Sequence, residues 1–186
     1  MRRIILVHGY GATPHLYWFP WLARELEARG HAVIMPTLSE PFRPDLHTWI
    51  SELQTAIGEF DENTIVVAHS LGNSAVARML QDASPGVMCR AYIAVAPLIL
   101  ERYGKLFPTF FEKPIDASRL VAHAGKISVL HDPADRWAPI SNGKFLQQAC
   151  GARLIECPGQ HHFNNLNSSM PVPEILAAVL EAINTD

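Results

Sequence analysis

Basic residues are scarce in this 186-residue chain: 15 lysines and arginines against 18 aspartates and glutamates leave a formal charge of -3. No basic stripe or local Lys/Arg block is present to neutralise a phosphate backbone, so nucleic acid is not an expected partner. Long hydrophobic runs are missing as well. The run AYIAVAPLIL from Ala91 falls well short of the roughly 20 residues that span a bilayer, and IILV after Arg2 and Arg3 is too brief for a secretory signal. No membrane association is expected, and the chain reads as cytoplasmic. Cysteine is limited to Cys89, Cys150 and Cys157, an odd count without metal-ligand spacing, which argues against a disulfide framework and a zinc site and for buried thiols.

Apolar residues are plentiful. A hydrophobic content of 48% in 186 residues suffices for one sizeable core and not comfortably for two, so a single domain over residues 1–186 is expected. Short apolar or β-branched runs recur along it: IILVH from Ile4, AVIMP from Ala32, TIVVAH from Thr64, AYIAV from Ala91, KISVLH from Lys126 and ARLIEC from Ala152. Most are apolar throughout, as strands buried on both faces of a parallel sheet must be. Helical patterns lie between them. WLARELEARG ends in Gly30 as an expected cap, HTWISELQTAIGEF follows Asp45, and NSAVARMLQDA runs to Ser84-Pro85; SNGKFLQQACG and PEILAAVLEAI come later. The alternation predicts an α/β fold: a three-layer sandwich with a mostly parallel sheet of about six strands and helices on both faces. One irregular stretch, from Leu98 to about Asp116, carries Phe107, Phe110 and Phe111 among prolines and reads either as a lid or as a surface loop with a satellite core.

Ser70, in VVAHSLGN, falls where the strand TIVVAH meets the helix NSAVARML, beyond the carboxyl end of a strand, where open parallel sheets bind ligands. A nucleophile on so tight a turn needs small residues two positions before and two after it, and Ala68 and Gly72 supply them. A serine hydroxyl attacks poorly until a base takes its proton, so a histidine and an acid behind it are required, in chain order Ser, Asp, His. After KISVLH come Asp132 and Asp135; after ARLIEC come His161 and His162. All follow strand ends, on the same edge of the sheet as Ser70. Glycines in VHGYGA after the first strand let main-chain N–H groups turn toward a developing oxyanion, with Tyr10 and Leu71 as the expected donors. The same loop lacks the lysine and spacing of a phosphate-binding motif.

Assembled in this way, the chain resembles the α/β-hydrolase superfamily and, within it, the small serine hydrolases typified by retinoblastoma-binding protein 9 and YdeN-like proteins. VHGYGA with YWFPWLARELEARG, VVAHSLGN, DRWAP and HHFNN carry the likeness. The resemblance implies Ser70 as nucleophile. It implies Asp135 as acid, matching a DxxVP motif with Asp132 outside it, and His162 as base, with His161 standing where glycine is usual. It further implies no large cap domain, no cofactor, and activity on small-molecule esters, with amide cleavage in some relatives. Tyr17, Trp18 and Trp137 are the expected pocket walls; Phe19 and Trp21 are assigned to the core, and His8 to hydrogen bonding within its loop. Two other readings stay open: a peptidase, which would need a carboxylate such as Glu40 or Glu112 at the pocket, and a non-catalytic protein-binding module on the same scaffold.

Overall fold

The computed structural model describes residues 1–100, 104–166 and 170–185. Among the described residues six strands form, β1 (Arg3–Val7), β2 (Ala32–Ile34), β3 (Thr64–His69), β4 (Cys89–Val95), β5 (Ala124–His131) and β6 (Arg153–Glu156). They pair in the order β2-β1-β3-β4-β5-β6, every pairing parallel. The chain steps from β1 outward to β2, then returns to lay β3 on the other side of β1. That reversal opens a crevice above the carboxyl ends of β1 and β3, where ligands of such sheets bind.

Helices α1 (Phe19–Glu27), α2 (Leu46–Ile57), α3 (Gly72–Gln81), α4 (Ala117–His123), α5 (Ser141–Cys150) and α6 (Pro173–Asn184) cover the two faces. Side chains alternate across a strand, so each strand feeds two cores. Ile5, Val7, Val66 and Ala68 face one core, with Trp49 and Leu53 of α2, Leu80 of α3, Leu120 of α4 and Leu146 of α5. Ile4, Leu6, Ile65 and Val67 face the other, with Leu22 and Leu26 of α1 and Ile175 and Val179 of α6. The expected three-layer α/β sandwich is the architecture found, and no large cap domain is evident among the described residues.

Boundaries moved where caps and edges decide them. β2 is an edge strand of three residues, shorter than AVIMP, whereas β4 and β5 each begin two residues early. α1 closes at Glu27 with Ala28 as its cap, and Gly30, at φ +81°, shapes the turn beyond it. α2 is started by Asp45, whose carboxylate accepts from Thr48 N at 2.9 Å, and stops at Gly58 instead of running on to Phe60. The sequence pattern gives no sign of α4. Its seven residues are too few for a visible period, although Asp116 caps it by accepting from Ser118 N and Arg119 N. In the irregular stretch, of which residues 101–103 lie outside the described residues, Pro108–Phe111 form a 3-10 turn. Phe107, Phe110 and Phe111 there join the main core and build no satellite.

Candidate active site

Ser70 sits one residue past β3 with a left-handed φ of +53°. For a residue with a Cβ that conformation costs about 1–2 kcal/mol and persists only when its surroundings over-determine it. They do. Ser70 N donates to Val95 O at 3.0 Å, and Ser70 O accepts from Asn73 N, Leu98 N and Asn73 Nδ2 at 3.1, 3.2 and 3.0 Å. Two glycines let the first-strand loop lie directly on this turn. A Cβ on Gly9 would stand 2.8 Å from Ser70 Cβ, and one on Gly72 would stand 2.3 Å from His8 O.

Strand ends β5 and β6 bring the other residues over. His162 Nε2 lies 2.9 Å from Ser70 Oγ, and His162 Nδ1 lies 2.7 Å from Asp135 Oδ2. An ionised carboxylate only accepts, so Nδ1 carries the proton and Nε2 presents its lone pair to the hydroxyl. The other Asp135 oxygen accepts from Trp137 N at 2.7 Å and Ala138 N at 3.0 Å, which fixes the carboxylate plane. Of the paired candidates, Asp135 and His162 are the ones that meet Ser70. Asp132 turns instead to the backbone, taking His161 N at 2.5 Å and Ala134 N at 2.8 Å, while the His161 ring points to solvent at 78% exposure. His161 has a φ of +51°, the conformation that glycine adopts without strain.

Tyr10 and Leu71 stand beside this chain of hydrogen bonds. Leu71 N lies 3.1 Å from where a Cβ on Gly9 would be, so its amide and the first-strand loop meet. Among the described residues neither the Tyr10 nor the Leu71 N–H donates to a protein acceptor. The two amides are therefore available to a ligand oxygen. A cleft of about 260 Å³ opens above Ser70 and His162, with Tyr10, Tyr17, Leu98, Phe107 and Trp137 in its walls. Tyr17 and Trp137, two of the expected pocket walls, both line this cleft.

Trp18 is not. It is 2% exposed, stacks on Phe19 at 4.0 Å between ring centroids, and packs in the core beneath α1. Tyr17 takes a φ of +58°, so the two neighbouring side chains diverge, one into the cleft and one into the core. Trp21 packs half-buried against that core, and Phe19 is fully buried, as expected. His8 donates from Nδ1 to Gly9 O at 3.0 Å and accepts Leu38 N at Nε2, and burial lowers its pKa. Asn164 lines the cleft; neither Glu40 nor Glu112 does.

Three residues at the site were not singled out from sequence. His69 lies wholly buried beside His162, its Nε2 2.7 Å from His162 O; burial, aided by the nearby His162, lowers its pKa to about 3 and keeps it neutral, a donor to that carbonyl. Asn73 ties Ser70 O to Val95 O and accepts the Tyr92 hydroxyl at 2.8 Å. Asn142 accepts Ile99 N and Leu100 N, each at 2.8 Å, holding the segment after Leu98. The available signal was a polar residue at the end of an element: His69 closing the strand TIVVAH, Asn73 and Asn142 in the first turns of α3 and α5.

The parallel sheet, with a serine turn at its switch point and a histidine and an aspartate delivered from later strand ends, defines an α/β-hydrolase. Residues 4–181 match the family model described as serine hydrolase. The chain belongs to that family. It is 29% identical over 168 residues to YdeN of Bacillus subtilis (strain 168), named as a hydrolase, covering 87% of this chain and 86% of that one. The crystal structure of the B. subtilis ydeN product superposes with a TM-score of 0.92 at 26% identity over all of both chains. The fold is shared with Est1E of Butyrivibrio proteoclasticus bound to ferulic acid (TM-score 0.76, 13% identity, 100% of this chain and 90% of that one). It is shared also with a pyrethroid hydrolase of Sphingobium faniae JZ-2 (TM-score 0.72, 15% identity, 98% of each). No helix among the described residues is long and apolar enough to cross a membrane, and no cluster of His, Cys, Asp or Glu among them could hold a metal ion.

Proposed function

We propose that this hydrolase cleaves small carboxylic esters through an acyl-enzyme, with Ser70 as nucleophile, His162 as general base and acid, and Asp135 as the acid that orients the imidazole. Ser70 Oγ attacks the ester carbonyl while its proton passes to His162 Nε2. The tetrahedral oxyanion is held by the amides of Tyr10 and Leu71. On collapse, the carbon–oxygen bond to the leaving group breaks and His162 returns the proton to the departing alcohol. Water then attacks the acyl-enzyme by the same route, releasing the carboxylic acid and restoring Ser70.

One observation carries this reading: the unbroken hydrogen-bonded chain from Ser70 Oγ through both nitrogens of His162 to Asp135, at 2.9 and 2.7 Å. The matched serine hydrolase family supports hydrolysis, and the fold it uses is shared with esterases. Ser70→Ala should abolish turnover of p-nitrophenyl acetate and labelling by a fluorophosphonate probe while leaving the circular dichroism spectrum unchanged. Turnover that survives in Ser70→Ala defeats the proposal.

A further inference from the structure

Resting on that reading, we propose that the cleft selects esters bearing a single aromatic ring, with Trp137 as the residue that recognises it. A cavity of about 150 Å³ is enough to hold benzene. At about 260 Å³ the cleft encloses one ring and the ester linkage, whereas a long acyl chain would run out of it into solvent. Its walls suit a ring. Tyr10 packs at a tilt on Phe107, centroids 5.1 Å apart, and edge-on against Phe42 at 5.9 Å, which makes a braced aromatic surface. Trp137 contributes to the same lining yet is 66% exposed and packs on no other ring among the described residues, so a full indole face is left for a ligand. Its backbone is held rigid where Trp137 N donates to Asp135.

The test compares methyl phenylacetate with methyl hexanoate and methyl decanoate by pH-stat titration, in the wild type, Trp137→Phe and Trp137→Ala. A favourable ring pair corresponds to roughly threefold to tenfold in kcat/KM. We expect the aromatic ester to lead by about that factor, Trp137→Phe to keep most of the preference and Trp137→Ala to erase it. Equal rates on all three esters, or a preference untouched in Trp137→Ala, overturns the proposal while the hydrolase reading stands. Failure of the fluorophosphonate to label Ser70 removes both.

A separate observation gives Asp132 a role, again resting on the triad reading. Asp132 is 1% exposed, and its two oxygens bridge two loops: Oδ1 accepts Ala134 N on the loop that carries Asp135, and Oδ2 accepts His161 N on the loop that carries His162. Gly159 N adds a third bond, and although burial raises the pKa of this carboxyl, these amides and the nearby His161 ring bring it below the usual range, so it stays ionised. His161 and Phe163, on either side of the base, both have positive φ, a backbone that non-glycine residues hold only under constraint. We infer that Asp132 is a positioning residue: its carboxylate pins His161 in the left-handed conformation and thereby sets the imidazole of His162 in register with Asp135 and Ser70.

Displacing a catalytic group by about 1 Å costs about 100-fold. Asp132→Ala should therefore lower kcat about 100-fold, normalised to folded protein by circular dichroism, with KM within about twofold; Asp132→Asn, which keeps one acceptor oxygen, should fall between. Adding His161→Gly to Asp132→Ala should recover at least tenfold, because glycine adopts positive φ unaided. A purely structural carboxylate would show no such recovery. The proposal fails if folded Asp132→Ala or Asp132→Asn keeps wild-type kcat, or if His161→Gly restores nothing.

Discussion

Gly72→Ala adds one methyl group to the molecule and should disable it. The new Cβ would stand 2.3 Å from His8 O and 3.1 Å from both His8 C and Val7 O, all of them backbone atoms that cannot rotate aside. Restoring a minimal contact of about 3.0 Å requires about 0.7 Å of movement between α3 and the loop after β1. Overpacking of this kind costs about 1–3 kcal/mol. For a chain of this size 1 kcal/mol corresponds to roughly 2–4 °C in Tm, so a fall of about 2–12 °C is expected by calorimetry. The functional loss should be larger than the stability loss implies. His8 is two residues from Tyr10, so the shift carries the Tyr10 amide away from the place proposed for the oxyanion, and a misplacement near 1 Å costs about 100-fold in kcat. The assay is kcat on p-nitrophenyl acetate alongside Tm. A Gly72→Ala protein with kcat within threefold of wild type and an unchanged Tm would refute the claim that these backbones touch.

Asp135→Asn should reduce kcat about 10³–10⁴-fold with little change in Tm, since an amide can no longer hold the imidazole tautomer that leaves Nε2 free; a loss under tenfold would show that Asp135 is not the orienting acid. Stability should fall on acidification from about pH 6.5 toward pH 3, because His69, neutral in the fold with a pKa of about 3, takes a proton in the unfolded chain at about 6.5. The unfolded state then binds the extra proton, which lowers ΔG of unfolding by up to about 1.4 kcal/mol per pH unit, with His8 and His131, also lowered by burial, adding in the same direction. Urea midpoints between pH 7.5 and 5 measure this, and a slope unchanged in His69→Gln would refute the His69 share. Trp18→Ala should cost about 3–5 kcal/mol of stability, as a buried tryptophan does, without altering KM beyond twofold. A KM change well above that in the folded variant would return Trp18 to the substrate pocket.

Some of this could be read from the chain directly, and some could not. The strands were legible because a parallel strand buried on both faces must be apolar throughout, and TIVVAH is buried at every residue. Ser70 was legible because its turn requires Ala68 and Gly72 at fixed offsets. The choice between Asp132 and Asp135, or between His161 and His162, was not available from the residues themselves, only from a family's motif spacing. Either member of each pair lies past a strand end. What separates them is direction in space: Asp132 turns back to bind the amide of His161, and left-handed φ values on both sides of His162 aim one ring inward and the other into solvent.

The tertiary structure likewise decided the fate of Trp18, since a sequence shows that aromatic residues are adjacent and not which way a turn at Tyr17 sends them. It decided α4 as well, a helix too short to display a period. The sequence by itself determined the order of layers, the strand end that carries Ser70 and the kinds of group expected beside it, because those follow from local periodicity and from chemistry. Only the packed chain decided which of two neighbouring carboxylates meets the imidazole, for that depends on how loops more than twenty residues apart are hydrogen-bonded to one another.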